Sequence, residues 1–322
     1  MKIISTEQMK SLVSMPEAIE ALRTVFGDLS AGKSIMPVRT VSTFGEMLLL
    51  FKPAYSPATN YAAVKLLTQV ASNPARGLPL IQGLVFLINS TNGSMLAMMD
   101  GKYITTLRTG AASGLATQLL ARQDATVAAI FGAGAQGATQ LEAVCAVRPI
   151  EKAYIFDVDP AAAAMYAERQ SSKLGIPVGV GSALDALRDV DIICTATGAR
   201  APLFHGEHLK ANVHINAVGS FRPHMQELPP EWVASANVYV DHVDSCLAET
   251  GDLLIPIEQG LITREHIRGE IGDVVNGTLA GRTSPHAATL FKSVGVAVQD
   301  LAAAALIYEK AQAKNMGAEV AL

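Results

Sequence analysis

No run of lysine and arginine interrupts this chain of 322 residues, and its net charge of −4 leaves no electrostatic footprint for nucleic acid. No apolar stretch reaches the roughly 18 residues that a membrane span needs. The opening Met1-Lys2-Ile3-Ile4-Ser5 has no long apolar core of a signal peptide, so a cytoplasmic protein is expected. Cys145, Cys194 and Cys246 are scattered without a CxxC pair, which reads as reduced, small apolar filler. The histidines show neither HExxH nor paired-ligand spacing, so no metal is expected. What remains is a chain half hydrophobic and long enough for about two domains with a large core.

The most informative stretch runs from Ala125 to Asp157. Val127 to Phe131 is an apolar run of strand length. Gly132-Ala133-Gly134-Ala135-Gln136-Gly137 follows as G-x-G-x-x-G, then a helix-like pattern to Val147. A second apolar run, Ala153 to Phe156, ends in Asp157. Each part of this spacing has a use. Gly132 allows the tight turn, Gly134 lets backbone approach a pyrophosphate, and Gly137 lets helix pack on strand. The helix N-terminus offers free N–H groups to the phosphates, and Asp157 can accept from the ribose hydroxyls. With strand, loop, helix and acid in register, the stretch reads as a dinucleotide site.

Before it, the N-terminus reads as helices. Ser5-x-x-Gln8 and Ser14-x-x-Glu17 are capping boxes, and Pro16 sits where a missing N–H is harmless. Met47 to Phe51, Ala62 to Val70 and Leu84 to Ile88 read as strands, with Ser94 to Met99 returning from a turn at residues 89–93. Lys65 interrupts an apolar strand, and an ammonium buried there needs an anion; the other reading is a lysine guarding a solvated sheet edge. Arg39 stands in a loop-like stretch, either a surface charge or a ligand group. Arg108 lies early in a helix from Tyr103 to Leu120 whose first turn is rich in threonine, either on the surface or facing an anion.

After Asp157 the pattern alternates strand and helix. Val178–Val180, Asp191–Thr195, His214–Val218 and Val238–Val240 read as further strands, which predicts a parallel sheet covered by helices. Thr195, Ala196 and Thr197 fall at a strand's carboxyl end, where cofactor crevices form. Residues 302–311 form a final helix able to return to the first domain.

The chain resembles, over nearly its full length, the ornithine cyclodeaminase/mu-crystallin family. The resemblance rests on Met36-Pro37-x-Arg39, Lys65, Arg108-Thr109-Gly110-Ala111, the glycine loop with Gln136, Thr195-Ala196-Thr197, Asn216-Ala217-Val218-Gly219 with Glu227 downstream, and Phe291-Lys292-Ser293-x-Gly295. It implies an α/β fold: a Rossmann-type doubly wound parallel sheet, residues 119–297, plus a discontinuous α+β substrate-binding and dimerisation domain, residues 1–118 completed by 298–322. It implies that Arg39, Lys65 and Arg108 surround a substrate carboxylate. It also implies that Thr109, Ala135, Gln136, Asp157, the Thr195–Thr197 segment, Val218 and Ser293 belong to the cofactor site.

Deaminating members carry an Asp where this chain has Phe221, and a phenyl ring neither exchanges a proton nor holds an ammonium. The expected activity is therefore reduction of a small cyclic imino acid, Δ1-pyrroline-2-carboxylate or Δ1-piperideine-2-carboxylate, to proline or pipecolate. The alternatives are a linear amino-acid dehydrogenase such as alanine dehydrogenase, then an ornithine cyclodeaminase, or a ligand-binding role like that of mu-crystallin. Phe221 would pack on the substrate ring, or else point into the core while Glu227 or Asp300 stands in for the acid. Lys65, a bound water and Glu227 are candidates for the proton donor. Asp157, with no arginine in Val158-Asp159, predicts NAD(H) over NADP(H). The expected assembly is a homodimer.

Overall fold

The computed structural model describes residues 1–37, 39–181 and 184–321. The chain forms two compact units, residues 1–108 with 296–322, and residues 109–295. In chain order come β1 (Lys2–Ile4), α1 (Thr6–Leu12), α2 (Met15–Ser30), β2 (Thr40–Phe44), β3 (Met47–Ser56), β4 (Tyr61–Val70), β5 (Ile81–Asn89) and β6 (Met95–Asp100). Helix α3 (Gly101–Leu120) carries the chain into the second unit. There follow β7 (Val127–Phe131), α4 (Ala135–Val147), β8 (Lys152–Phe156), α5 (Pro160–Leu174), β9 (Val178–Val180), β10 (Ile192–Thr195) and β11 (His214–Ala217). Then come α6 (Pro230–Ser235), β12 (Asn237–Val240), α7 (Val243–Glu249), α8 (Gly251–Glu258), β13 (Ile267–Glu270), α9 (Ile271–Val275) and β14 (Thr289–Lys292). Helix α10 (Ala297–Ala313) and β15 (Ala318–Glu319) complete the first unit.

The first unit is a sheet in the order β15-β1-β6-β5-β4-β3-β2, antiparallel except for β1 beside β6. Strand periodicity sorts its residues. Lys52, Lys65, Val85 and Met99 lie in register across four strands, and Ala54, Ala63, Leu87 and Ala97 form the next row on the same face. That face is buried, with α10 and α2 packed over it. The opposite face carries Phe51 and Leu84, 43% and 38% exposed. Helix α1 starts at Ser5 by reciprocal capping: Gln8 N donates to Ser5 Oγ and Ser5 N to Gln8 Oε1.

Three sequence expectations change here. The N-terminus opens with a strand rather than a helix, because β1 finds partners in β6 and β15 from far along the chain. Strand β2 was not expected. Strand β3 runs five residues past Phe51, to Ser56, through Pro53. Proline is tolerated there because β2 pairs only as far as Phe51, so no ladder bond is asked of its missing N–H.

The second unit is a parallel sheet in the order β13-β12-β14-β11-β10-β7-β8-β9. Starting at β7, strands are laid outward to β9 on one side and then to β11 on the other, the doubly wound Rossmann order. Both faces are buried, so its strands are apolar throughout. Ile130, Ile155, Ile192 and Cys194 face Leu141 and Tyr166 on one side. Phe131, Ile193, Ile215 and Leu290 face Trp232 and Leu253 on the other. Strands β13 and β14 were not expected; β14 inserts between β11 and β12 and brings Lys292 into the sheet.

Candidate active site

In the first unit the paired strands decide what Lys65 does. Strand β4 has β3 on one side and β5 on the other, so the edge-guard reading fails. Lys65 is 1% exposed and points at the helix-covered face. The anion it needs is Asp300, in the first turn of α10. Lys65 Nζ lies 2.7 Å from each carboxylate oxygen of Asp300 and donates to Thr105 Oγ1 at 3.1 Å. Arg108, near the middle of α3, donates from Nε to Asp300 Oδ1 (3.2 Å) and from Nη1 to Gln299 Oε1 (2.6 Å).

Lys52, opposite Lys65 in register, belongs to the same cluster. Burial drives its ammonium well below the usual lysine range, and the charge of Lys65 adds to this. Sequence reading missed it because the strand was ended at Phe51; a lysine directly after a run of three leucines and a phenylalanine was the available signal. Burial lowers Lys65 to about 8, with Asp300 opposing. Burial pushes the Asp300 carboxyl up, but Lys65, Arg108 and Lys52 outweigh it and hold it below the ordinary value. Arg39, half-buried just before β2, is near enough for its charge to lower both lysines. The structure brings Lys65 and Arg108 together around Asp300, sets Lys52 in register beside Lys65, and places Arg39 near enough to act on both lysines.

In the second unit the glycine loop leaves β7 where strand order reverses, between β7 and β10. Gly132 has φ +103°, and a Cβ there would stand 2.6 Å from the carbonyl oxygen of Ala196 on the neighbouring loop. No heavy atom lies within 4 Å of the place a Cβ on Gly134 would occupy, so that side of the loop is open. Gly134 caps α4 without a side chain, which leaves the N–H groups of Ala135, Gln136 and Gly137 to an outside acceptor. Gln136 Oε1 is buried without a hydrogen-bond partner. Asp157 Oδ2 accepts from Ala133 N at 2.6 Å, so the acid braces the loop. An open glycine cradle, an unengaged helix N-terminus and an acid at the next strand's end fit a dinucleotide.

Thr195 and Thr197 turn their hydroxyls to Glu227, not to the crevice. Glu227 is fully buried and accepts from five donors: Thr195 Oγ1, Thr197 N, Thr197 Oγ1, Gly219 N and Ser220 N, at 2.7–3.2 Å. A carboxylate so occupied braces two loops, and burial, opposed by the Lys292 charge, pushes its pKa up. Val218 N donates to Thr195 O, and the Thr109 carbonyl accepts from Gln140. Ser293 is buried, its hydroxyl committed to Asp241 Oδ2 at 2.7 Å. Phe221 is 43% exposed, with the Arg222 guanidinium 5.8 Å from its ring centre, so it does not point into the core. Asp252 and Lys292, both fully buried and paired at 3.0 Å, were not foreseen.

A family model described as the ornithine cyclodeaminase/mu-crystallin family matches residues 1–315. The Delta(1)-pyrroline-2-carboxylate reductase of Bacillus cereus is 40% identical over 324 residues, with 99% of each chain covered. The solved Delta(1)-pyrroline-2-carboxylate reductase of Thermococcus litoralis, in complex with NADH and L-proline, superimposes with a TM-score of 0.94 at 40% identity, over 99% of this chain and 100% of that one. An archaeal alanine dehydrogenase dimer with bound NAD gives a TM-score of 0.93 at 34% identity, over 99% and 98%.

Proposed function

We propose, for a chain that belongs to the ornithine cyclodeaminase/mu-crystallin family, that it reduces Δ1-pyrroline-2-carboxylate to proline and accepts small cyclic imino acids of similar size. The observation that carries this reading is the buried group of Lys65 and Arg108 around Asp300 in the first unit, with Lys52 in register beside Lys65. Lys65 and Arg108 are desolvated donors of the kind that a ligand carboxylate engages. The full-length likeness to pyrroline-2-carboxylate reductases supports the substrate class. When bound, reduced nicotinamide would supply a hydride to C2 of the N-protonated imine, and the C=N π pair becomes the lone pair of proline's ring amine, whose N–H is the proton the imine already carried. The chain's own part is to hold the carboxylate with Lys65 and Arg108 so that the imine carbon is presented in one orientation.

The cofactor we assign is NAD(H) in preference to NADP(H), because Asp157 would repel a 2′-phosphate. The assembly we assign is a homodimer. The uncovered face of the first unit's sheet, with Phe51 and Leu84 exposed, is apolar enough to be covered by a second copy. Free cysteines and the absence of a long apolar helix among the described residues fit a cytoplasmic location. The test is oxidation of NADH with Δ1-pyrroline-2-carboxylate, Δ1-piperideine-2-carboxylate, and pyruvate plus ammonia, together with ammonia release from L-ornithine and NAD+. Turnover of the cyclic imines is expected. Turnover of pyruvate plus ammonia alone would put an alanine dehydrogenase in its place, and rapid ammonia release would show that Phe221 is no bar to deamination.

A further inference from the structure

Two polar atoms in the first unit's cluster are buried without a hydrogen-bond partner, and they sit on consecutive residues. Gln299 Nε2 is a donor with no acceptor, and Asp300 Oδ2 is an acceptor with no donor. Gln299 is 0% exposed and Asp300 1%. Lys65 Nζ stands 2.7 Å from Asp300 Oδ2, an ion-pair contact that takes up one side of that oxygen and leaves its other lone pair without a hydrogen-bond donor. The opposite atoms of both groups are engaged: Gln299 Oε1 accepts from Arg108, and Asp300 Oδ1 accepts from Lys65 and Arg108. These bonds fix the orientation of the Gln299 amide and of the Asp300 carboxylate. The buried amide donor without an acceptor is costly, Oδ2 keeps a lone pair beyond its ion pair with Lys65, and a ligand that brings one acceptor and one donor engages both.

We propose that Asp300 Oδ2 accepts the hydrogen bond of the protonated ring nitrogen of the imino acid, while Gln299 Nε2 donates to its carboxylate. This rests on the imino-acid reading above and adds to it which side chains tell a cyclic imine from any other small carboxylate. Lys65 and Arg108 draw carboxylates in general. Asp300 selects those with an N–H beside the carboxylate, and its negative charge favours the iminium over the neutral imine. A nitrogen that already carries its proton needs no donor while the ring is reduced.

The experiment is a binding comparison on the full-length chain with NAD+ present, using three ring carboxylates of nearly one shape. L-Proline carries the N–H, whereas tetrahydrofuran-2-carboxylate and cyclopentanecarboxylate do not. Calorimetry should show proline bound roughly tenfold or more tightly than either, the factor a charged hydrogen bond carries. Asp300→Asn should remove most of that advantage without an equal loss for cyclopentanecarboxylate. Gln299→Leu should weaken all three by a similar factor and leave their ratio intact. Should Asp300→Asn fail to fold, Asp300→Glu keeps the charge beside Lys65, moves the oxygen by one methylene, and should also lose discrimination. Equal binding of all three by the wild type would mean that a water serves the idle pair, and would overturn the proposal. So would a proline advantage that survives in the folded Asp300 variant, or a uniform loss there, which would mark Asp300 as a counter-ion only. If none of the three binds and no cyclic imine is reduced, the imino-acid reading falls, and this proposal with it; reduction of the imines without proline preference sinks only the proposal.

Discussion

In the first unit, Lys65 and Arg108 converge on one carboxylate, Asp300, and two polar atoms there, Gln299 Nε2 and Asp300 Oδ2, have no hydrogen-bond partner. In the second unit, three buried carboxylates, Glu227, Asp241 and Asp252, lie near one lysine, and every one of them is filled with donors. Asp241 Oδ2 accepts from Ser293 Oγ, Val294 N and Gly295 N; Asp252 accepts from Glu227 N, Leu228 N and Lys292. Both units bury charge, which is costly unless each group is paired. The difference lies in saturation. Carboxylates ringed by backbone N–H groups hold loops in place, whereas the first unit's cluster gathers charged side chains and leaves a buried amide donor without an acceptor.

The comparison is broken most directly by removing the lysine from each side. Lys292→Met leaves Asp252 fully buried without its cation and should cost about 3–5 kcal/mol of stability, read from the denaturant midpoint. Lys65→Met leaves Asp300 still paired with Arg108, so the fold should survive. Its kcat/KM for the imine should nevertheless fall about 100-fold or more, about 3 kcal/mol of transition-state binding. If Lys65→Met proves the less stable and the more active of the two, the distinction between saturated and unsaturated clusters is wrong.

The sequence exposes what is local in each unit and hides what is not. The glycine loop, the strand before it and Asp157 lie within one short segment, and the capping boxes at Ser5 and Ser14 are complete in four residues. Lys65 stood out because it broke an apolar run. Its partner Asp300 could not be paired with it by pattern, since 235 residues separate them. Lys52 was lost through a strand boundary drawn too early at Phe51, ahead of Pro53, a residue permitted in the strand only because β2 stops short. Strands β1, β13 and β14 have three or four residues each, too few for periodicity to reveal, and exist because neighbours pair with them. Glu227 was visible as a motif residue, but its five donors come from the segments that follow β10 and β11, and their convergence is a product of the fold.

A smaller effect should follow from weakening saturation in the second unit. Glu227→Gln keeps the shape but turns an NH2 toward groups that donate. At least one of the bonds from Thr195, Thr197, Gly219 and Ser220 must be lost, for about 1–3 kcal/mol. The loops after β10 and β11 should loosen, and the KM for NADH should rise several-fold with little change in the KM for the imine. An unchanged KM for NADH would show that these loops do not serve the cofactor.

The first unit should show the opposite sensitivity, to pH. Lys65 faces Lys52, Asp300, Arg108 and Arg39, and it loses its proton at about 8 in the folded chain against 10.5 ordinarily. Above pH 8 the carboxylate site loses a positive charge, so the KM for the imine should rise toward tenfold per pH unit, and Lys65→Arg should flatten that rise. The sign for stability is reversed. Between about 8 and 10.5 the unfolded chain holds a proton that the folded chain has released, so this group's contribution to stability increases with pH. A flat KM up to pH 9.5 would mean that Lys65 keeps its proton through the pairing with Asp300.

The mildest test concerns Asp157, an acid in the second unit that is only partly filled. Its Oδ2 holds Ala133 N at 2.6 Å and its Oδ1 holds Asp159 N at 2.9 Å, while the side chain stays half-buried at the end of β8. Asp159 in turn caps α5 through Ala161 N and Ala162 N, so a second negative charge stands beside the first. A 2′-phosphate on the cofactor would meet both. In water two unit charges 4 Å apart interact by about 1 kcal/mol, so the repulsion from one carboxylate is worth about fivefold per phosphate charge. Asp157→Asn removes that charge, and its carbonyl oxygen can still accept from Ala133 N. The ratio of kcat/KM for NADH to that for NADPH should therefore fall about fivefold or somewhat more, through a lower KM for NADPH. Raising the salt concentration should shrink the wild-type preference in the same direction, since exposed charges are screened over about 10 Å at 0.1 M. A ratio that does not move on either change would place the ribose away from Asp157 and leave its carboxylate as a brace for the glycine loop alone.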